Sequence, residues 1–498
     1  MNLLAAIEKT GNRLPDPATL FVLGTVIVFL LSMVAAFSGW SVTDPAGNEI
    51  RAINLVSADG SWWLLSTMVD NFISFPPLGI VLVGMLGIGL AEKTGFLPAL
   101  INFVITHVSD RYLTPATMLM GILSSLALDA GYVVLIPIAA ALYMSAGRSP
   151  LLGIAVSFAG VSAGFSANFF ITALDPLLAG FTQAGAQIIE PGYQVAVTSN
   201  WWFMIVSTIL LTLTGWFVTE HFVAPNVAKV EFSENHVDDP AGSPVNNDRR
   251  ALKFACLVSG LLLLLFIVAT HIEGWPLHGT GKRFDRWIEV TVPLLFIFFF
   301  LPGLVFGIVS GSIKSDRDVA TMLGEIMARL GPYVVLAFFA AQFIAAFNYS
   351  GLGKLLAIAG GSFLQSLAVG DAYLLSSFVF MVVLINLLVG SASAKYAFFA
   401  PVFVPMLMQV GISPELTQAA YRVGDSVSNV ITPMNPYMII IIMEVRKYVR
   451  GSGLGTVVAT MLPYTFAFLI VWLILLIAWI QTGFPLGPEG PLRYTFNS

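Results

Sequence analysis

From residue 18 onward, long apolar stretches alternate with short polar ones. A bilayer-spanning helix needs about 20 consecutive apolar residues. Uncharged runs near that length fall at 18–43, 71–91, 200–219, 254–270, 290–313, 330–353 and 454–488. Each predicts one crossing. Two further apolar blocks, 112–190 and 372–445, are interrupted by isolated charges and by Gly, Pro, Ser and Asn. Their interior arms run to about 15 residues, short for a straight crossing. That length predicts a re-entrant helical hairpin at about 112–147, and another at about 373–411. Each hairpin is followed by a broken helix, at about 149–190 and 415–447. The reading is an all-α polytopic membrane protein with nine crossings and two hairpins.

Composition sharpens this reading. Only 10% of residues are charged and 57% are hydrophobic, against about 25% charged in soluble domains. A soluble enzyme, a disordered chain and a nucleic-acid binder are excluded, the last also by a net charge of −5. The single cysteine, Cys256, excludes a disulfide framework. No Walker loop or HExxH pair is present, so transport would draw on an ion gradient.

Orientation follows from Lys and Arg, which concentrate on the cytoplasmic side. With a cytoplasmic N-terminus, 15 of the 23 lie inside, six outside, and two, Lys395 and Arg422, at membrane depth. The cluster Lys282, Arg283 and Arg286 is the main exception. This topology puts the C-terminus outside. Residues 1–17 read as a short amphipathic surface segment, and 44–70 as a polar outer loop. The polar stretch 226–250 reads as a cytoplasmic linker between halves 1–225 and 251–498.

The halves resemble one another. GFSANFFITALDP at 164–176 and GDSVSNVITPMNP at 424–436 match at Gly, Ser, Ile, Thr and Pro with a constant offset of 260. Upstream, Ala130, Tyr132, Pro137, Met144, Gly147, Ser149 and Pro150 match residues 264 positions later. With the topology above, the two hairpins enter from opposite faces. The repeats are then inverted, as in alternating-access carriers.

Charges at membrane depth cost at least about 2.5–3.5 kcal/mol each. Asp129, Asp175, Lys395, Arg422 and Asp425 lie in the broken blocks, at hairpin tips or helix breaks. One reading is a local ion pair between Arg422 and Asp425, one turn apart. The functional reading divides them by chemistry. A sodium ion takes hard oxygen ligands, which Asp425, Ser428 and Asn429 offer at the second break and Asn168 at the first. Candidate sodium ligands are therefore Asp425, Asn429 and Asn168. A proton-coupled carrier would use Asp175 or Asp425 instead, and Asp129 is a further coupling candidate. An anionic substrate needs donors, which Lys395, Arg422, Ser391, Ser393 and Asn386 supply. Asn386 also reads as a helix–helix hydrogen bond, Pro433 as a helix breaker, and Met438 and Met443 as core.

The stretches NRLPDP (12–17), ALDAGYVVLIPIAA (127–140), AGFSANFFITALDPLLAG (163–180), GSASAKY (390–396) and YRVGDSVSNVITPMNPYM (421–438) resemble the AbgT family of p-aminobenzoyl-glutamate transporters over nearly the whole chain. The resemblance implies a bowl-like homodimer in a bacterial inner membrane, with nine transmembrane helices and two re-entrant hairpins per protomer. It also implies uptake of p-aminobenzoyl-glutamate or export of sulfonamide antimetabolites, coupled to sodium or protons, with no other cofactor. The family's functional residues match Asp175, Asn386, Ser393, Arg422, Asp425 and Pro433. One departure is a missing Trp in 372–390, where Tyr373 is the nearest aromatic candidate. A sodium-coupled dicarboxylate carrier of similar architecture is the alternative.

Overall fold

The computed structural model describes residues 15–43, 49–127, 131–227, 248–449 and 451–495. Among these, seven helical segments are long and apolar enough to cross a membrane: Pro17–Ser38, Ala58–Lys93, Trp201–Val227, Arg249–His271, Thr291–Ser310, Gly331–Tyr349 and Leu454–Thr482. They correspond to the seven plain apolar runs. The Asp16 carboxylate caps the first by accepting from Ala18 N at 2.9 Å, and Gly39 ends it at φ 68°.

Two expectations need correcting at the ends of these runs. The outer loop predicted at 44–70 is largely structured. Ser41–Thr43 and Glu49–Arg51 pair as a small antiparallel hairpin, so the chain is not wholly helical. Ser57 then caps a helix at Ala58–Ile73, which meets Pro76–Lys93 at Pro76. Its Asp59, Ser61, Thr67 and Asp70 hid an amphipathic period from a test for uncharged runs. The polar helix Asp316–Arg329 likewise contains no long uncharged run. It opens with a capping box between Ser315 and Asp318, and the backbone N–H groups of Lys314 and Ser315 hold the Asp318 carboxyl below its usual range. Of the linker, 228–247 lies outside the described residues, as do 1–14. Its ends are helical, with Asp248 capping Arg249–His271.

The two broken blocks build similar successions of elements. In the first, α1 (Leu113–Leu123) leads to a tip, and α2 (Ile136–Ser145) returns. Then α3 (Pro150–Phe158) runs through a π-turn at Ala159–Ala163 into a non-helical break, and α4 (Leu174–Ala186) continues. In the second, α5 (Asp371–Asn386) and α6 (Ala392–Met408) occupy the positions expected for the two hairpin arms. There α7 (Pro414–Val427) and α8 (Met438–Tyr448) flank the break. Motif pairs take matching conformations. Gly147 and Gly411 both adopt positive φ, at 69° and 81°. Ser149 and Ser413 both occupy the N-cap before a proline at N1.

Each hairpin packs on its own broken helix, and α6 of the second hairpin also packs on α4 of the first block. In the first block the contact depends on two glycines. A Cβ on Gly160 would lie 2.6 Å from the Met118 carbonyl oxygen and 2.9 Å from Gly121 Cα. Small residues let backbones approach this closely. We expect Gly160→Val to cost about 1–3 kcal/mol through overpacking, read as a lower unfolding temperature in detergent. Unchanged unfolding would show that α1 can shift away.

Candidate functional site

The charged side chains converge where the two breaks meet. Arg422 projects from α7 and donates from Nη2 to Asp175 Oδ1 at 2.6 Å, joining the halves of the chain. The carboxylate of Asp175 stands at the start of α4. Its Oδ2 also accepts from Thr172 N at 2.6 Å and Thr172 Oγ1 at 2.9 Å. Beside this pair, Lys395 Nζ lies 2.7 Å from Asp425 Oδ1. The side chains of Lys395, Asp425 and Arg422 are each 1% exposed. The expected pairing of Arg422 with Asp425 on one helix does not form. Each carboxylate or cation instead takes a partner from another element, which exchanges a local contact for two that tie elements together.

Asn386, at the end of α5, is the hub of the second hairpin. Its Nδ2 lies 2.8 Å from each of three acceptors, the Asp425 carbonyl, Ser428 Oγ and Asn429 Oδ1, which share its two N–H groups. Its Oδ1 accepts from Lys395 Nζ. This is more than a helix–helix hydrogen bond, because one amide holds the hairpin to the break and to the buried cation. Tyr421 OH adds 2.6 Å to the Ala392 carbonyl and 3.1 Å to Asp425 Oδ1. The tip closes with Ser391 Oγ on Ala394 N, 3.2 Å from Ser393 Oγ. Gly390 is required there, since a Cβ would collide with the Met434 carbonyl. Pro433 lies in the break, half-buried.

At the first break, Asn168 Nδ2 donates to Ser125 Oγ at 3.0 Å and its Oδ1 accepts from Phe170 N. It therefore belongs with the first hairpin. No hydrogen bond among the described residues joins it to Asp425 or Asn429. Of the predicted sodium ligands, Asn168 is hydrogen-bonded within the first block, whereas Asn429 meets Asn386 and also donates to the Ser162 carbonyl of the first block. Asp129 lies outside the described residues. The breaks nevertheless touch. Ser166 N donates to Ser426 Oγ at 3.2 Å, between residues 260 apart. Asn435 Nδ2 donates to Ser162 Oγ at 3.0 Å. Residues 160–164 spell GVSAG, the spacing of a nucleophile elbow. Ser162 sits in a π-turn rather than on a strand-to-helix turn, however, and the hydroxyl is held by an amide and not by a base.

Several participants carried no sequence signal. Tyr396 packs 4.3 Å from Tyr421 and shares a network with Thr182 and Gln418, at 2.7 Å in both contacts. Aromatic and amide residues on apolar helices look like core until their partners are known. Tyr373 is 74% exposed and takes no part in the site, and Met443, expected in the core, is 61% exposed. Met438 is buried.

Residues 2–494 match the model of the AbgT putative transporter family. The p-aminobenzoyl-glutamate transport protein of Escherichia coli K12 is 33% identical over 97% of this chain and 95% of its own length. Among solved structures, the YdaH transporter of Alcanivorax borkumensis superposes with a TM-score of 0.92 at 41% identity, covering 95% of this chain and all of that one. MtrF of Neisseria gonorrhoeae, described as illuminating a class of antimetabolite efflux pumps, gives 0.91 at 40% identity over 98% of this chain and all of its own. These relatives are transporters rather than enzymes. With the family's motifs placed at the two breaks and a match along almost its full length, the chain belongs to the AbgT family of transporters.

Proposed function

We propose that this protein is an ion-coupled secondary transporter of p-aminobenzoyl-glutamate or related folate-pathway compounds, with sulfonamide antimetabolites among the exported ones. The reading includes nine crossings, two re-entrant hairpins of opposite entry and an inverted repeat. It places the protein in a bacterial inner membrane as a homodimer, N-terminus cytoplasmic and C-terminus outside. The E. coli relative supports the substrate class and MtrF the efflux direction.

The observation that carries the reading is the pair of buried ion pairs at the meeting of the breaks. Lone charges at this depth are costly, so each cation holds a carboxylate. A substrate carrying glutamate carboxylates offers Arg422 and Lys395 replacement partners, and a coupling ion offers one to the carboxylates. Asp425, Ser428 and Asn429 supply the oxygens a sodium ion prefers. In this arrangement the Lys395 ammonium lies against Asp425, so sodium binding there requires Lys395 to move. A proton would release Lys395 by neutralising Asp425. Ser391 and Ser393 then lie at the hairpin tip as hydroxyl donors to the substrate, with Pro433 keeping the facing backbone open.

The test is uptake of radiolabelled p-aminobenzoyl-glutamate into proteoliposomes under separately imposed sodium and pH gradients, with succinate as competitor. We expect saturable flux driven by one of the gradients and insensitive to succinate. Flux indifferent to both gradients would overturn ion coupling. Transport of succinate in place of p-aminobenzoyl-glutamate would overturn the substrate and favour the dicarboxylate alternative.

A further inference from the structure

The cluster Lys282, Arg283 and Arg286 runs against the charge bias that orients the chain. Three of the six cations assigned to the outside fall within five residues. The structure places two of them beside a cavity of about 630 Å³, lined by Lys282, Arg283, Gln183, Gln194 and the first turns of the helix Pro76–Lys93. Gln183 belongs to α4, the helix that begins at Asp175. Eight residues separate the two, about 12 Å along the axis at 1.5 Å per residue. The cavity therefore lies along the same helix as the buried ion pairs, toward the segment 187–200.

The cationic loop is firmly built. Thr280 and Asp285 form an antiparallel bridge, and Gly281 N donates to the Phe284 carbonyl at 2.7 Å. Glu289 also lines the cavity, but its Oε1 accepts from Arg283 N at 2.7 Å and Phe284 N at 3.2 Å. Those N–H groups keep its carboxyl below the usual range. Glu289 therefore stays ionised in the same wall and acts coulombically on Lys282, leaving two cations against one carboxylate at the cavity. Lys282 and Arg283 are exposed, and neither forms an ion pair within 4 Å among the described residues.

We propose that this cavity is an outer vestibule in which Lys282 and Arg283 gather or release the carboxylates of an anionic substrate before it reaches, or after it leaves, Arg422 and Lys395. The proposal rests on the transport reading above and names a second substrate-contacting site for it. Lys282 and Arg283 against the single carboxylate of Glu289 leave the cavity net positive, which raises the local concentration of an anion and its rate of capture. Because the attraction is electrostatic, the site selects carboxylate-bearing molecules and is indifferent to neutral ones.

The test uses the full chain in proteoliposomes with Cys256→Ala and Gln194→Cys, which puts one thiol in the cavity wall. The rates of its modification by external sulfonate-bearing and trimethylammonium-bearing thiol reagents are compared, with and without Lys282→Gln and Arg283→Gln. The expected result is a preference for the anionic reagent that falls about tenfold when both cations are neutralised. Added p-aminobenzoyl-glutamate or glutamate should slow the labelling. The same double substitution should raise KM for p-aminobenzoyl-glutamate flux, leave kcat unchanged, and leave the flux of neutral sulfanilamide unchanged. Equal reagent preference in both backgrounds would overturn the vestibule, even if transport proceeds. Slowing by phosphatidylglycerol in the bilayer but by neither carboxylate would overturn it in favour of a lipid site. Charge-selective labelling with glutamate protection, but no flux of p-aminobenzoyl-glutamate, would uphold the vestibule and overturn only the transported compound.

Discussion

Asp425→Ala is expected to abolish ion-driven flux and to destabilise the protein by about 3–5 kcal/mol, because it strands the Lys395 ammonium in a buried site. The loss has two separable parts. Asp425 Oδ1 is the carboxylate oxygen beside Lys395 and also accepts from Tyr421 OH. Removing it leaves a cation whose remaining partner is the Asn386 amide oxygen. The paired change Lys395→Met with Asp425→Leu removes both charges at similar volume. It should recover most of the stability, since a buried pair contributes little relative to apolar packing. It should recover none of the flux, because no carboxylate remains at the break end of α7; Glu415 stands in the first turn at the other end, held by Tyr193 OH. Thermal unfolding in detergent and proteoliposome flux would be measured on the same preparations. An Asp425→Ala protein that transports at the normal rate would remove Asp425 from the mechanism. A double variant that transports would remove both residues.

The second large effect concerns Asp175 and Arg422, which join the two halves. Asp175→Asn keeps the shape of the side chain and still leaves an oxygen for Thr172, but withdraws the charge from Arg422. We expect most of the flux to be lost. Arg422→Lys should fail as well. The guanidinium reaches Asp175 with Nη2 and the Ser166 carbonyl with Nη1, and a single ammonium cannot reproduce that fork. Residues in contact are non-additive, and a double-mutant cycle between Asp175→Asn and Arg422→Gln should show a coupling of about 0.5–3 kcal/mol. Additive losses would mean that the contact does not join the halves energetically. Retained flux in Asp175→Asn would leave the pair a purely structural link.

The legible features share a physical basis. Apolar runs must be buried in lipid or protein, so their lengths exposed the seven long helices. Gly, Pro, Ser and Asn disfavour a helix interior, so their clustering marked both breaks. A matched Gly147 and Gly411, both at positive φ, and matched Ser149 and Ser413, both at N-caps, are local backbone requirements written residue by residue. The helices Ala58–Ile73 and Asp316–Arg329 are hidden from the same reading, since the charges within them interrupt any uncharged run.

By itself the sequence determined the class of protein, the two broken blocks and the inventory of buried charges, because each follows from local composition and the cost of charge in an apolar medium. The tertiary structure alone decided the partners. Spacing along α7 suggested Arg422 with Asp425, yet packing gave Arg422 to Asp175, 247 residues away, and Asp425 to Lys395. Asn168 and Asn429 took hydrogen-bond partners that no local pattern pointed to, Ser125 for the first and Asn386 for the second. Tyr396, Tyr421 and Gln418 became visible only when α4, α6 and α7 came together. Pairing at a site depends on which distant surfaces fold against each other, and no local pattern encodes that choice.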